Sequence, residues 1–315
     1  MKYKYLLILN IFIIQNLSFA NDNIDTLCKN FLKSSQNSDV HLNSNKDVLF
    51  KNGVLWKITT PKKITNHLFG TIHSQDYLVS KFPNEVELVL SKSKKLILEI
   101  IPDNKSNLIY KRFIYYNNGN QLDNLLEKPF FRELEEQVKY YDLDNIELNN
   151  LKYMKPWAAF SLIGRPKTIR APSLESNLLK FAQERMIKID SLETMYDITS
   201  SLDELSINDQ INILKDTICN RKQIIKEIKK LVDLYINRDS AEIIKFTTNK
   251  NSDDKTYLRY MKKMLYDRNK NMLKKITYEF NSGDVFVAVG ILHLIAEDGL
   301  LENLQDLGYT IEVIY

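Results

Sequence analysis

The stretch Val285-Phe286-Val287-Ala288-Val289-Gly290-Ile291-Leu292-His293 decides how this chain folds. Val285 to Val289 has no polar face, the mark of a strand buried on both sides. Gly290 follows, where the missing Cβ lets the backbone bend or approach something closely. Two residues separate it from His293. The same grammar recurs near the other end as Phe69-Gly70-Thr71-Ile72-His73. Each apolar strand runs into a glycine and then a histidine, so each histidine emerges near the carboxyl end of its strand, where open α/β sheets place their sites.

Further strands are expected over Val54 to Ile58, Leu96 to Ile100 and Thr310 to Ile314, with His67 to Ile72 leading into the first histidine. Pro83 to Leu90 carries Val86, Val89 and Leu90 on one helical face, so strand, helix and strand here suggest a parallel βαβ unit. The middle of the chain changes period. Leu122 to Tyr141, Ile207 to Thr217, Arg221 to Asn237 and Ser240 to Phe246 carry helical spacing. A longer helix is expected over Tyr257 to Phe280, and another over Leu294 to Leu307. Ile224, Ile225, Ile228, Leu231, Val232 and Tyr235 give the clearest stripe. The expectation is an α/β chain of mixed α+β type: one central sheet formed by the N- and C-terminal parts, covered by a helical middle block over about 122–280.

The first twenty residues read as a targeting signal. Lys2 and Lys4 precede the apolar run Tyr5 to Ile14, and Ser18-Phe19-Ala20 offers small residues at a cleavage site. The run is too short to span a bilayer comfortably, which needs roughly 20 residues. Residues 1–20 are therefore expected to be a signal peptide, 21–46 a polar lead-in with a short helical patch at Leu27 to Leu32, and 47–315 one domain. Export to a periplasmic or extracellular space follows, with no stable membrane span after cleavage. The formal net charge of +4 falls to about +2 once Lys2 and Lys4 are removed, which gives no reason to expect nucleic acid as a partner. Cys28 and Cys219 are the two cysteines: buried thiols in a reducing compartment, a candidate disulfide in an exported chain.

Of the four histidines, His41 and His67 lack the glycine context and read as structural or exposed. His73 and His293 could converge, and Leu96-Ile97-Leu98-Glu99 delivers a carboxylate in a similar position. Two imidazoles and one carboxylate suit a divalent cation such as Zn²⁺, Mn²⁺, Co²⁺ or Fe²⁺. On the last long helix Arg268 and Asn269 share a face with Met261, Leu265, Met272 and Ile276. That stripe either meets solvent at its edge or turns Arg268 toward a carboxylate or a substrate anion. The second reading is favoured, because arginine is seldom buried unpaired. It makes Arg268 a clamp or transition-state stabiliser and Asn269 an orienting partner. Glu193 is either a supporting carboxylate or one that begins a helix in solvent.

These pieces together resemble the TraB/GumN family, which also takes in the Tiki metalloproteases and the PrgY pheromone-shutdown proteins. The matching segments are Leu55-Trp56-Lys57-Ile58, Leu68 to His73, Leu98-Glu99, Lys155-Pro156-Trp157, Leu192-Glu193-Thr194, Arg268-Asn269 and Val287 to Leu294. The resemblance implies a metal-dependent hydrolase, a metalloprotease or peptidase acting on a peptide or protein. In it His73, Glu99 and His293 stand at the metal (Mn, Co or Zn), with Glu99 a third ligand or the base. Gly70, Gly290, Glu175 and Glu193 would support the site. The family usually has aspartate where Leu174-Glu175-Ser176 stands, and often glycine where Ala296 stands. The resemblance also allows a non-catalytic protein that sequesters a peptide or haem, or an accessory factor in envelope or polysaccharide assembly.

Overall fold

The computed structural model describes residues 24–33, 50–74, 76–141, 143, 148–166, 171–248 and 254–315. The expected targeting segment, His41 and the lead-in from 34 to 46 lie outside the described residues. Six strands form one sheet: β1 (Leu55–Thr59), β2 (Thr65–Thr71), β3 (Lys95–Leu98), β4 (Lys188–Ser191), β5 (Val285–Gly290) and β6 (Thr310–Val313). Their order is β4-β3-β5-β2-β1-β6. β1 is antiparallel to β2 and β6, whereas β2, β5, β3 and β4 run parallel.

The apolar run at 285–289 therefore lies between two parallel neighbours, and every residue of β5 is buried. The expected βαβ unit closes through Asn84–Leu90, but β5 sits between its two strands, so β2 and β3 never touch as a ladder. β4 was not foreseen as a strand. Lys188-Ile189-Asp190-Ser191 is a short edge strand with no apolar alternation, held to β3 by parallel pairing. It brings residues of the helical middle into the sheet.

The helices depart from the expected boundaries in instructive ways. Residues 24–33 form a helix at the start of the described chain. The 122–141 pattern divides into Leu122–Leu125 and Lys128–Val138, the second beginning with Pro129 in its first turn. Ile207–Ile236 is one helix of 30 residues rather than two, since Ile218-Cys219-Asn220 contains neither proline nor glycine to stop it. The expected 294–307 helix is instead Ile291–Ile295 followed by Leu300–Asp306, with Asp298 at φ 54 and Gly299 at the turn. Asn104–Phe113, Pro156–Ile163, Leu174–Glu184 and Met195–Asp203 are further helices.

Two apolar cores result. One surrounds the sheet and includes Trp56, Phe69, Leu98, Val287 and Leu294. The other lies within the helical block around Phe130, Leu134, Trp157 and Leu214. The Ile207–Ile236 helix spans both, giving Leu214 and Ile218 to the second core and Val232 and Tyr235 to the first. The run from Lys255 does the same: Tyr260 and Met264 pack on the second core, Met272 and Ile276 on the first. Between them Lys262–Tyr266 is a π turn set in an otherwise continuous helix (Lys255–Met261, Asp267–Glu279). Cys28 and Cys219 are joined, their Cα atoms 5.5 Å apart across 191 residues of sequence, which fastens the first helix to the second core. Among the described residues no helix is long and apolar enough to cross a membrane.

Candidate active site

The carboxyl ends of the parallel strands carry the candidate residues. β2 is followed by His73, β3 by Glu99, β4 by Glu193, and β5 ends at Gly290 just before the helix that carries His293. The ladder continues past β3 and β4: Leu192 N–H donates to Leu98 O at 2.8 Å, and Glu193 N–H to Glu99 O at 3.0 Å. That pairing sets the carboxylates of Glu99 and Glu193 side by side. Like charges so placed repel, so the arrangement needs a cation.

Arg268 supplies it. Its Nε donates to Glu193 at 3.0 and 3.1 Å, and its Nη2 to Glu193 Oε2 at 2.6 Å and to Glu99 Oε1 at 2.5 Å. Nη1 donates to Met264 O at 3.0 Å, a carbonyl of the π turn. Of the two sequence readings, Arg268 thus faces carboxylates, and its fork is committed to protein partners instead of being free for a substrate anion. Glu193 precedes the cap: Thr194 caps the Met195–Asp203 helix, reciprocally with Asp197, which leaves Glu193 to turn inward.

The second oxygen of Glu99 accepts from Gly290 N–H at 2.9 Å and lies 3.5 Å from His73 Nε2. Its first oxygen lies 3.9 Å from His293 Nε2. Burial alone would raise the Glu99 pKa, but His73, His293 and Arg268 hold it well below the usual carboxylate range. Glu193 moves the other way: burial raises it, against the pull of Arg268.

Each imidazole is held from behind. Asn269 Oδ1 is 2.7 Å from His293 Nδ1, which makes Nδ1 the donor and leaves the Nε2 lone pair facing Glu99. Burial lowers the His293 pKa to about 4, so the ring is neutral. The Nδ1 of His73 is 3.0 Å from Glu175 Oε1, although that buried oxygen has no well-aligned hydrogen bond. The His73 side chain is 60% exposed, so solvent and ligands reach the centre at this point. Burial opposes its protonation, yet Glu99 and Glu175 raise its pKa well above the ordinary histidine value.

The two glycines differ in purpose. A Cβ on Gly290 would stand 3.2 Å from His73 Nε2, 3.4 Å from Glu99 Oε2 and 3.6 Å from His293 Cδ2, so its absence keeps open the space those three groups share. A Cβ on Gly70 would lie 2.2 Å from Ile291 Cδ1, so that glycine serves packing. Tyr235, singled out in the sequence only as an apolar stripe residue, is buried and donates from its hydroxyl to Gly70 O at 2.7 Å. Its stripe position gave no sign of that polar task.

Among the described residues no three His, Cys, Asp or Glu side chains already close on one point as a metal cage. The residue types are those that divalent cations take. Two neutral-capable imidazoles present Nε2 to one ionised carboxylate, and the glycine leaves room between them.

Fold and site together define a mixed α/β protein with a histidine–carboxylate–arginine centre at the carboxyl ends of its parallel strands. The chain belongs to the TraB/PrgY/gumN family, whose profile matches residues 54–313. No curated protein and no solved structure matches it.

Proposed function

We propose that this protein is an exported, metal-dependent hydrolase of peptide bonds. The observation that carries the reading is the approach of His73 Nε2 and His293 Nε2 to the two oxygens of Glu99, at 3.5 and 3.9 Å, around the space left by Gly290. His73, His293 and Glu99 would hold the cation (Mn, Co or Zn), which when bound would lower the pKa of a water to about 7. Asn269 fixes the His293 tautomer, and Glu175 backs His73. Arg268 holds Glu99 and Glu193 in place and helps keep Glu99 ionised. Glu99 is assigned as a ligand and not as the base, because its neighbours hold its carboxyl well below the usual range, which suits an ionised donor and not a proton acceptor. An effective general base needs a pKa near the working pH. His73, open to solvent, marks the side from which a peptide substrate enters.

Export is supported by the signal-like character of residues 1–20 and by the Cys28–Cys219 bridge, since such bridges persist in oxidising compartments. The test is metal content by elemental analysis on purified protein, with wild type compared against His73→Ala and His293→Ala. Near-stoichiometric metal, lost in both variants, and metal-dependent cleavage of peptides by wild type are expected. Wild type that takes up no Mn²⁺, Co²⁺ or Zn²⁺ ends the hydrolase reading.

The engagement of Glu99 also favours a second reading, sequestration of a peptide or haem without turnover. A wild type that binds ligand tightly and cleaves none, with binding retained in Glu99→Gln, would support it.

A further inference from the structure

Behind His293 a cleft of about 300 Å³ opens along one face of the π turn and the helix after it. Lys262, Tyr266, Asp267, Asn269, Lys270 and Leu273 form one wall, and Asp298 and Asn303 the other. None of His73, Glu99, Arg268 or His293 lines it, so it is a separate space. The wall they share is Asn269, which is 3% exposed and spends its Oδ1 on His293.

The other end of that amide is poorly used. Nδ2 carries two hydrogens, and its bond to Asp298 O is long, at 3.4 Å. The same carbonyl already takes a 2.8 Å bond from Asn303 Nδ2. The second hydrogen of this buried amide is available to an acceptor placed in the cleft.

The charges in the walls sort themselves. Lys262 and Asp267 neutralise one another at 2.9 and 3.0 Å. Lys270 and Asp298 have no ion-pair partner among the described residues, so the cleft offers one uncommitted charge of each sign. Leu273 and the ring of Tyr266 add apolar surface. Asp298 lines the cleft from the short turn between the last two helices, with its backbone at φ 54.

We propose that this cleft binds a small zwitterion of the amino-acid class with an apolar side chain. Its carboxylate is received by Lys270 and Asn269 Nδ2, its ammonium by Asp298, and its side chain rests on Leu273 and Tyr266. Because Asn269 also grips His293 Nδ1, the ligand reports to the candidate active site. The inference rests on the cleft alone and stands whether or not the protein is a hydrolase.

The experiment is calorimetric titration of the whole purified protein with L-leucine. 4-Methylpentanoate, which lacks the ammonium, and 3-methylbutylamine, which lacks the carboxylate, serve as single-charge controls. Leucine is expected to bind, and both controls more weakly. Lys270→Ala and Asp298→Asn are each expected to weaken leucine by about fivefold, the scale of one solvent-facing charge contact. Both positions are exposed, and asparagine suits the φ of Asp298, so both variants should fold. In parallel, leucine is expected to shift the His293 ring-nitrogen signals in a ¹⁵N-histidine NMR spectrum and to leave those of His67 unmoved. No heat at tens of millimolar leucine, equal binding by either single-charge control, or unchanged affinity in both variants overturns the proposal.

Discussion

Replacing Gly290 by alanine separates the site from the scaffold. Its backbone, at φ −50 and ψ 132, suits any L-residue, so alanine adds no conformational strain. The new methyl would stand 3.2 Å from His73 Nε2, 3.4 Å from Glu99 Oε2 and 3.6 Å from His293 Cδ2. Those contacts ask neighbours for a few tenths of an ångström, and His73, at 60% exposure, has room to give. Against that cost alanine narrows the unfolded ensemble, a gain of about 0.4–1 kcal/mol. Folding stability should therefore change by less than about 1 kcal/mol. The proposed metal binding should not survive so well, because the methyl fills the space between the three proposed ligands, and disturbing ligand placement costs roughly 10- to 100-fold in affinity. Urea denaturation and metal titration on the same preparation read both numbers. Gly70→Ala is the counterpart: its Cβ would lie 2.2 Å from Ile291 Cδ1, in packed core, so about 1–3 kcal/mol of stability should go. A Gly290→Ala protein that folds normally and binds metal like wild type would refute the assignment of that space. One that fails to fold would refute the backbone reasoning.

Arg268→Met should destabilise by about 3–5 kcal/mol, since it leaves Glu193 without its cation and removes one of the partners of buried Glu99. The loss should be smaller at pH 5 than at pH 8 in urea titrations, because protonation relieves them. Asn269→Ala frees His293 Nδ1 and should weaken metal binding by roughly 10- to 100-fold in a chelator competition, with Asn269→Asp affected less. Reduction of the bridge that closes 191 residues should cost about 3–5 kcal/mol, read as a lower Tm with dithiothreitol and matched by Cys28→Ser. His67 is held at about 4, by burial first and then by Lys57. Below about pH 6.5 the unfolded chain takes up a proton there that the native state refuses until about pH 4, so stability falls as pH drops through that window. His67→Asn should flatten the fall in urea midpoints measured between pH 7 and 4.5.

The sheet was legible where burial stamped it on the sequence. Val285 to Val289 and Leu96 to Leu98 are apolar because both faces of those strands are covered. β4 was not, because an edge strand in this position needs only backbone pairing, and Lys188-Ile189-Asp190-Ser191 bears no pattern to betray it. With β4 went the place of Glu193, whose approach to Glu99 depends on that ladder. His73, Glu99 and His293 could be named from the glycine contexts and the strand ends. The role of Arg268 as a bridge between two carboxylates could not, since helical spacing says which face a residue shares and nothing of what waits opposite. The helix boundaries moved wherever punctuation was weak: no residue interrupts 218–220, and the turn at 296–299 rests on a left-handed aspartate that sequence alone does not announce.

The position of β5 sets an order of events during synthesis. It is the only strand bridging β2 and β3 among the described residues, and at residues 285–290 it is made after both of them and after β4. Until then β2 can pair only with β1 and β3 only with β4, so His73 and Glu99 belong to separate strand pairs. A nascent chain of this protein therefore cannot assemble its centre piecemeal; closing it waits for β5 to be made.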